Sequence, residues 1–224
     1  MARITVVIDD VINLSTSSPT GEPKPAKVAA LCDMAGAGGV AINIKDGNIT
    51  PNYERIIRGI KEVLGIPLAL MIPADDRAVD KAIDLAPGIV VLDDIVSGDG
   101  DFVSRLQVSN IIVAIQVSSE LDQVKAAAKM KADYVAIDVS SFCAEKSLTT
   151  RVDAFNKISK AAALAERLSI GAIAVGPMTL TDLAKLAEIE PIEDFFIGPE
   201  LMAKALMYGL EDSIADFKSE INRY

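Results

Sequence analysis

Residues 39–72 read GVAINIKDGNITPNYERIIRGIKEVLGIPLALMI, two short apolar runs separated by an amphipathic segment. The runs, Gly39–Ile44 and Leu68–Ile72, are aliphatic and partly β-branched, which is typical of buried strands. Between them, Thr50 and Pro51 have the residue types of an N-cap and a first helical residue. The helix that they open carries an apolar stripe made of Tyr53, Ile56, Ile57, Ile60 and Leu64. Strand, helix and strand in this order predict a parallel βαβ unit.

The same alternation continues along the whole chain. The predicted strands are Ile4–Asp9, Gly39–Ile44, Leu68–Ile72, Ile89–Leu92, Ile111–Gln116, Tyr134–Val139, Ala172–Val175 and Phe195–Ile197. Eight strands that alternate with helices predict a closed (β/α)8 barrel, the TIM barrel. The length of 224 residues suits one such barrel, so we expect a single domain that spans residues 1–224.

The composition limits the classes of partner. Hydrophobic residues make up 50% of the chain and aromatic residues only 4%, which fits parallel strands covered by helices on both faces. A net charge of −10 argues against nucleic acid or an anionic membrane as a partner. Cys32 and Cys143 lack the spacing of metal ligands, and they are interpreted as reduced thiols. With no signal-peptide pattern and no apolar run of about 18 residues, we expect a cytoplasmic protein.

Polar residues gather near the carboxyl ends of the predicted strands, where TIM barrels build their active sites. Because side chains alternate along a strand, taking Asp9 as inward also places Thr5 and Val7 inside the barrel. The same reasoning predicts a further inward set: Ala41, Asn43, Lys45, Ala69, Met71, Ala136, Asp138, Ala174 and Gly176, with Gln116 as a further candidate.

Two kinds of chemistry at these strand ends remain open. Lys45 could be a desolvated Schiff-base nucleophile, or it could be the buried counter-ion of Asp9 or Asp138. The clustered Asp and Asn oxygens could bind Mg²⁺ or Ca²⁺, or they could cap helices and line loops. Because no tight ligand motif is present, we predict no metal site, and no cofactor is assigned.

Loops and turns supply further candidates at the same face. The long loops Ser15–Pro25 and Asp93–Phe102 are expected there, as lids or as solvated connections. Gly176, Thr179 and Gly198 follow strands seven and eight, where barrels often bind phosphate through backbone N–H groups and a helix N-terminus. Pro199 removes one N–H donor from that arrangement. The remaining candidates near the mouth are Asp10, Asp93, Asp94 and Glu200.

Four stretches of the chain resemble the pyridoxine 5′-phosphate synthase family over nearly the whole length. They are VVIDDVINL, AGAGGVAINIKDGNIT, LDQVKAAAKMKADYVAI and FFIGPELMAKALMYGLEDSIADFK. The resemblance implies a (β/α)8 barrel, a homo-oligomer and a role in vitamin B6 biosynthesis. The family condenses a phosphorylated deoxyxylulose with an amino-acetone phosphate and closes a pyridine ring. Its site uses histidines, glutamate and phosphate-binding basic residues.

Transferred one position at a time, the resemblance implies that most of the family's site residues are replaced. The family's histidines fall at Asp10, Asn43, Asn48, Gly176 and Pro199, and this chain contains no histidine at all. The family's glutamates fall at Ala69 and Ala136, its arginines at Ser15 and Lys45, and an asparagine at Val7. The site positions that persist are Asp9, Thr179 and Gly198, with Lys45 as a partial substitute.

These replacements lead to three alternative functions. A methyl group or a hydrogen cannot move protons as carboxylate or imidazole does, so the first is a barrel that has lost the synthase reaction and binds a small molecule or serves in an assembly. The second is an enzyme with changed chemistry in the same pocket, in which Lys45 acts with Asp9 and Asp138. The third is the family's own reaction carried out by altered residues.

Overall fold

The computed structural model describes residues 2–93 and 100–222. Its strands are β1 Arg3–Val7, β2 Gly39–Asn43, β3 Leu68–Pro73, β4 Ile89–Asp93, β5 Ile112–Val117, β6 Tyr134–Asp138, β7 Gly171–Val175 and β8 Ile192–Ile197. Neighbouring strands pair in parallel in chain order, and β8 pairs with β1, so the sheet closes into a barrel. The predicted (β/α)8 barrel is confirmed.

Helices connect the strands and cover the outside of the barrel. In the described ranges they are α1 Asp9–Ser17, α2 Pro25–Met34, α3 Pro51–Val63, α4 Asp76–Leu85, α5 Gly100–Val108, α6 Leu121–Lys129, α7 Ser140–Ala144, α8 Leu148–Arg167, α9 Leu180–Leu186, α10 Pro199–Tyr208 and α11 Leu210–Ile221. The predicted start of α3 is confirmed, because the Thr50 hydroxyl accepts a hydrogen bond from the amide of Tyr53 at 3.3 Å. No described helix combines the length and the apolar character needed to cross a bilayer.

The barrel interior is an apolar core that forms the floor beneath the carboxyl-end mouth. It consists of Ala41, Ala69, Met71, Ile89, Val91, Ala114, Ala136, Ile173 and Phe196, with Val7, Tyr134 and Val175 packed against it. The inward placement predicted for Ala41, Ala69, Met71 and Ala136 is therefore confirmed. The opposite face of the strands packs against the helices in a second, larger core.

Three sequence-based placements are wrong. The first strand ends at Val7, so Asp9 begins α1 instead of facing inward from a strand. Lys45 lies beyond β2, which ends at Asn43, and its side chain is exposed. On β7 the inward residues are Ile173 and Val175, whereas Ala174 belongs to the outer core.

The two predicted loops at the mouth also differ from expectation. The segment predicted as a loop at Ser15–Pro25 is shorter, because α1 continues to Ser17. Of the segment Asp93–Phe102, Asp93 ends β4 and Gly100 begins α5. Asp94, together with the rest of residues 94–99, lies outside the described residues.

The barrel closes at the β1–β8 seam around a buried carboxylate. Asp194 is only 1% exposed, and its Oδ2 accepts hydrogen bonds from Thr5 Oγ1 at 3.0 Å and Arg3 Nε at 3.1 Å. Arg3 and Asp194 are also direct register partners in the parallel ladder. The carboxylate therefore links the first strand to the last through both side chain and backbone.

We predict that Asp194→Ala lowers the free energy of unfolding by about 2–4 kcal/mol, because it leaves the buried Thr5 hydroxyl and the Arg3 guanidinium without their acceptor. Glu193→Ala is the matched control, since this neighbouring carboxylate is exposed and accepts a hydrogen bond from the Tyr134 hydroxyl. We expect the control to cost less than about 1 kcal/mol. Urea denaturation measures both changes, and equal losses in the two variants would contradict the role given to Asp194.

Candidate functional site

Asp9 sits at the point where β1 gives way to α1, at the carboxyl end of the barrel. Its Oδ1 accepts a hydrogen bond from the backbone amide of Asn43, the last residue of β2, at 2.8 Å. This bond joins two adjacent strand ends. It also fixes the carboxylate at the rim, although Asp9 is not a strand residue.

The surroundings of Asp9 favour its neutral form. Burial raises the pKa of Asp9 to about 6 from an ordinary value of 3.8, and the nearby charge of Asp10 acts in the same direction. The Asn43 amide and the charge of Lys45 oppose the rise in this pKa. A carboxyl group that titrates near pH 6 can accept or release a proton under physiological conditions.

Tyr53 is a neighbour of Asp9 that the sequence analysis assigned only to an apolar helix stripe. Burial, together with the charges of Asp9 and Asp46, raises the pKa of the Tyr53 phenol to about 12. The phenol therefore stays protonated near neutral pH and can donate a hydrogen bond. Its position in the first turn of α3, the helix that follows β2, was the sequence signal available for it.

Lys45 is close enough to Asp9 to affect its titration but does not bind it. Within residues 2–93 and 100–222, Lys45 forms no ion pair with Asp9 or Asp138. Since its side chain is also exposed, the interpretation as a buried counter-ion is wrong.

A second group of carboxylates lies around Cys143, above β6, β7 and β8. Burial, together with the charges of Asp182, Glu200 and Asp138, raises the pKa of the Cys143 thiol to about 12, and the charge of Arg151 opposes that rise. This thiol stays protonated near neutral pH and is a poor nucleophile. Asp138 Oδ1 accepts from the amide of Ser140 at 2.8 Å, at the start of α7. Oε2 of Glu200 is buried and has no hydrogen-bond partner among the described residues.

Donors at the turn after β7, where a phosphate group could bind, are already used within the chain. The amide of Gly176 already donates to the carbonyl of Phe196 at 3.3 Å. At the N-terminus of α9, Asp182 Oδ2 accepts from the amide of Thr179 at 3.0 Å and from its hydroxyl at 2.7 Å. Asp182 is buried, and its other oxygen binds the guanidinium of Arg151. The Asp182 carboxylate therefore occupies the Thr179 amide and hydroxyl, two donors that an anion at this turn could otherwise use.

The remaining predicted residues are spread around the rim. Gln116 is half-buried near the end of β5, Gly198 is buried and precedes α10, and Asp10 is exposed. Asn48 is exposed and lines a separate shallow cavity with Arg77 and Lys81. No three Cys, Asp or Glu side chains in the described residues are arranged to hold a metal ion.

Relatives of known family resemble the chain along its full length. Its sequence is 30% identical to the pyridoxine 5′-phosphate synthase of Citrifermentans bemidjiense, with complete coverage of both chains. It is 27% identical to the pyridoxine 5′-phosphate synthase of Geotalea daltonii, over 96% of this chain and 97% of that one.

Solved structures support the fold alone. A thiamine phosphate pyrophosphorylase from Pyrococcus furiosus superimposes with a TM-score of 0.70 at 15% identity, covering 99% of this chain and 96% of that chain.

The family model described as pyridoxal phosphate biosynthesis protein PdxJ matches residues 99–223. With this match and the full-length relative at 30% identity, the chain belongs to the PdxJ family of pyridoxine 5′-phosphate synthases.

Proposed function

We propose that this PdxJ-family barrel does not catalyse pyridoxine 5′-phosphate synthesis and instead binds a small neutral or cationic molecule at its carboxyl-end mouth. The proposal rests on the two inward positions to which the family resemblance assigns the family's glutamates. Ala69 and Ala136 are at most 1% exposed within the barrel interior and can neither accept nor donate a proton.

The charge around the mouth supports a ligand that is not an anion. The described inward residues at the carboxyl ends of the strands include Val7, Asn43, Gln116, Asp138 and Val175, and none of them is basic. Phosphate recognition needs positive charge or free N–H groups, whereas carboxylates that face a partly desolvated site repel anions.

The occupied donors near α9 support the same proposal. A phosphate group that used the Thr179 amide or hydroxyl would have to displace Asp182, a carboxylate that is buried and bound to Arg151. The Asp9 carboxyl at the rim offers an acceptor to an amine or hydroxyl ligand instead.

We predict that the purified protein, supplied with the two substrates of the family, forms no pyridoxine 5′-phosphate above background. The physical reason is the lack of acid–base groups at Ala69, Ala136 and Gly176. The Citrifermentans bemidjiense relative is the assay control. Slow but saturable turnover by this chain, lost in Asp9→Asn, would contradict the proposal and support the family's reaction with altered residues.

A second candidate function, an enzyme with changed chemistry, is favoured by the titration of Asp9. Its pKa of about 6 suits a general acid–base, and the Tyr53 phenol nearby can donate to a reacting oxygen. Asp138 and Lys45 would be the other reacting or orienting groups, with Lys45 in contact with solvent.

The raised pKa of Asp9 predicts how stability depends on pH. Below about pH 4 the Asp9 carboxyl is protonated in both the folded and the unfolded chain. Between about pH 4 and 6 only the folded chain keeps this proton. The free energy of unfolding therefore falls as the pH rises through this range. We therefore expect Asp9→Asn, which keeps the acceptor for the Asn43 amide, to be about 1–2 kcal/mol more stable than the wild type at pH 8. At pH 3.5 the gain should vanish.

Urea denaturation across this pH range measures the effect. Asp84→Asn, on the exposed side of α4, serves as the control for removing a negative charge and should show no such pH dependence. A pH-independent difference between wild type and Asp9→Asn would show that Asp9 does not titrate near pH 6 in the folded state.

The exposure of Lys45 predicts that Lys45→Met changes the free energy of unfolding by less than about 0.5 kcal/mol, because no buried carboxylate loses a partner. A loss of about 3 kcal/mol or more would instead support the interpretation of Lys45 as a buried counter-ion.

Trapping of Lys45 by an aldehyde and borohydride distinguishes the two candidate functions. Selective labelling of Lys45 supports an enzyme, and labelling no faster than that of other exposed lysines supports a binding protein.

A further inference from the structure

The amino-terminal end of the barrel, opposite the mouth, has a cavity of its own. The cavity measures about 310 Å³, and its lining residues are Ala2, Arg3, Tyr134, Glu190, Ile192 and Glu193. These residues lie in the first residues of β1, β6 and β8 or just before them. Because the mouth lies at the other end of the same strands, this cavity is separate from the site described above.

Two glycines leave the space that the polar side chains of this cavity occupy. A Cβ atom added to Gly171, the first residue of β7, would overlap the ring of Tyr134. A Cβ atom added to Gly38, just before β2, would lie 2.6 Å from the Cβ of Arg3. Glycine in a strand marks a close approach of this kind. The backbone around Arg3 and Tyr134 therefore permits both side chains to lie at the cavity.

Arg3 is held in place through one nitrogen of its guanidinium group. Its Nε donates a hydrogen bond to Oδ2 of the buried Asp194 at 3.1 Å, and its side chain is 40% exposed. Within residues 2–93 and 100–222, its two Nη groups donate no hydrogen bond. A guanidinium presents its N–H groups as a rigid fork that matches a carboxylate. Arg3 thus offers a preorganised pair of donors.

Carboxylates of the opposite charge face the same cavity without pairing with Arg3. Glu190 and Glu193 are exposed, and neither forms an ion pair in the part of the chain that the structure describes. Oε2 of Glu193 accepts a hydrogen bond from the Tyr134 hydroxyl at 3.1 Å. Opposite charges that line one cavity and stay apart complement a small molecule that carries both signs.

We propose that this cavity binds a free α-amino acid with an apolar side chain. The α-carboxylate of the ligand pairs with the Nη groups of Arg3, and its ammonium group pairs with Glu190 and Glu193. The ring of Tyr134 and the side chain of Ile192 form the wall against which the apolar side chain packs. Sites for small molecules measure about 300–1,000 Å³, so a cavity at the lower end of this range suits a ligand of this size.

Such a ligand contacts both strands at the seam of the barrel. Arg3 belongs to β1 and Glu193 to β8, and Glu190 lies in the turn that leads into β8. The site therefore exists only when the barrel is closed. A ligand that binds the folded chain and not the unfolded one raises the melting temperature. The proposal concerns the amino-terminal end and stands whether or not the mouth binds a ligand.

Calorimetric titration of the full chain with L-leucine tests the proposal. Two analogues that each lack one charge, 4-methylpentanoate and 3-methylbutylamine, are titrated in parallel. We expect leucine to bind saturably with a Kd below about 1 mM and to raise the melting temperature. Each analogue should bind at least about tenfold more weakly, because each leaves either Arg3 or the two glutamates without a partner.

The double variant Glu190→Gln/Glu193→Gln tests the contacts to the ammonium group. Both side chains are exposed, and an unchanged melting temperature verifies that the variant folds. We expect its affinity for leucine to fall at least about tenfold and its preference for leucine over 4-methylpentanoate to disappear. Glu62→Gln/Glu166→Gln is the matched control, because it removes the same charge from exposed positions on α3 and α8, outside the cavity.

Four results overturn the proposal. The first is no saturable binding of leucine by the wild type up to about 10 mM. The second is an analogue that binds as tightly as leucine, since recognition then does not require both charges. The third is a Glu190→Gln/Glu193→Gln chain that keeps the wild-type affinity and preference. The fourth is loss of leucine binding in Asp9→Asn, which would assign the ligand to the mouth.

Discussion

The carboxylate of Asp194 lies at the seam where the barrel closes, 1% exposed, and holds Thr5 and Arg3 of the first strand against the last strand. Every other strand pair is consecutive in the chain, so the β1–β8 contact is the one with the longest loop to close. A buried charge is costly, and burial indeed raises the pKa of Asp194 above its ordinary value. The two donors offset part of that cost, and they fix the register at the amino-terminal end of both strands.

Once closed, the barrel separates an apolar interior from a polar mouth. Alanines at 41, 69, 114 and 136 contribute no polar atoms to the interior, and Met71 and Phe196 supply the bulk. Polar chemistry is thereby confined to the ends of the strands and to the helix starts that follow them. There the chain uses backbone N–H groups for its own carboxylates, Asp9 on the Asn43 amide and Asp182 on the Thr179 amide. At these two places, backbone donors that could bind an external anion are satisfied within the chain.

The sequence was sufficient for the fold and for part of the mouth. Eight apolar runs at regular spacing identified the strands, and the inward positions of Ala69 and Ala136 followed from alternation. On β7 the alternation of side chains did not identify the inward residues correctly. Both faces of this strand are apolar, so the sequence does not show which face lies inside the barrel and which faces the helices. The placements of Asp9 and Lys45 failed because the end of a strand is set by its pairing with neighbours and by the start of the next helix. The bond between Arg151 and Asp182 joins residues 31 positions apart, so no local pattern could predict it.

The central claim is that a barrel of the PdxJ family has exchanged an anion-binding mouth for one that its own carboxylates occupy. Calorimetric titration with inorganic phosphate, followed by a crystal soak, tests this most directly. The account predicts no saturable phosphate binding in the sub-millimolar range and no phosphate at the turns of Gly176 and Gly198, with Asp182 still bound to Thr179 and Arg151. Sub-millimolar phosphate bound at those turns, with Asp182 displaced, would contradict it and restore a sugar-phosphate ligand.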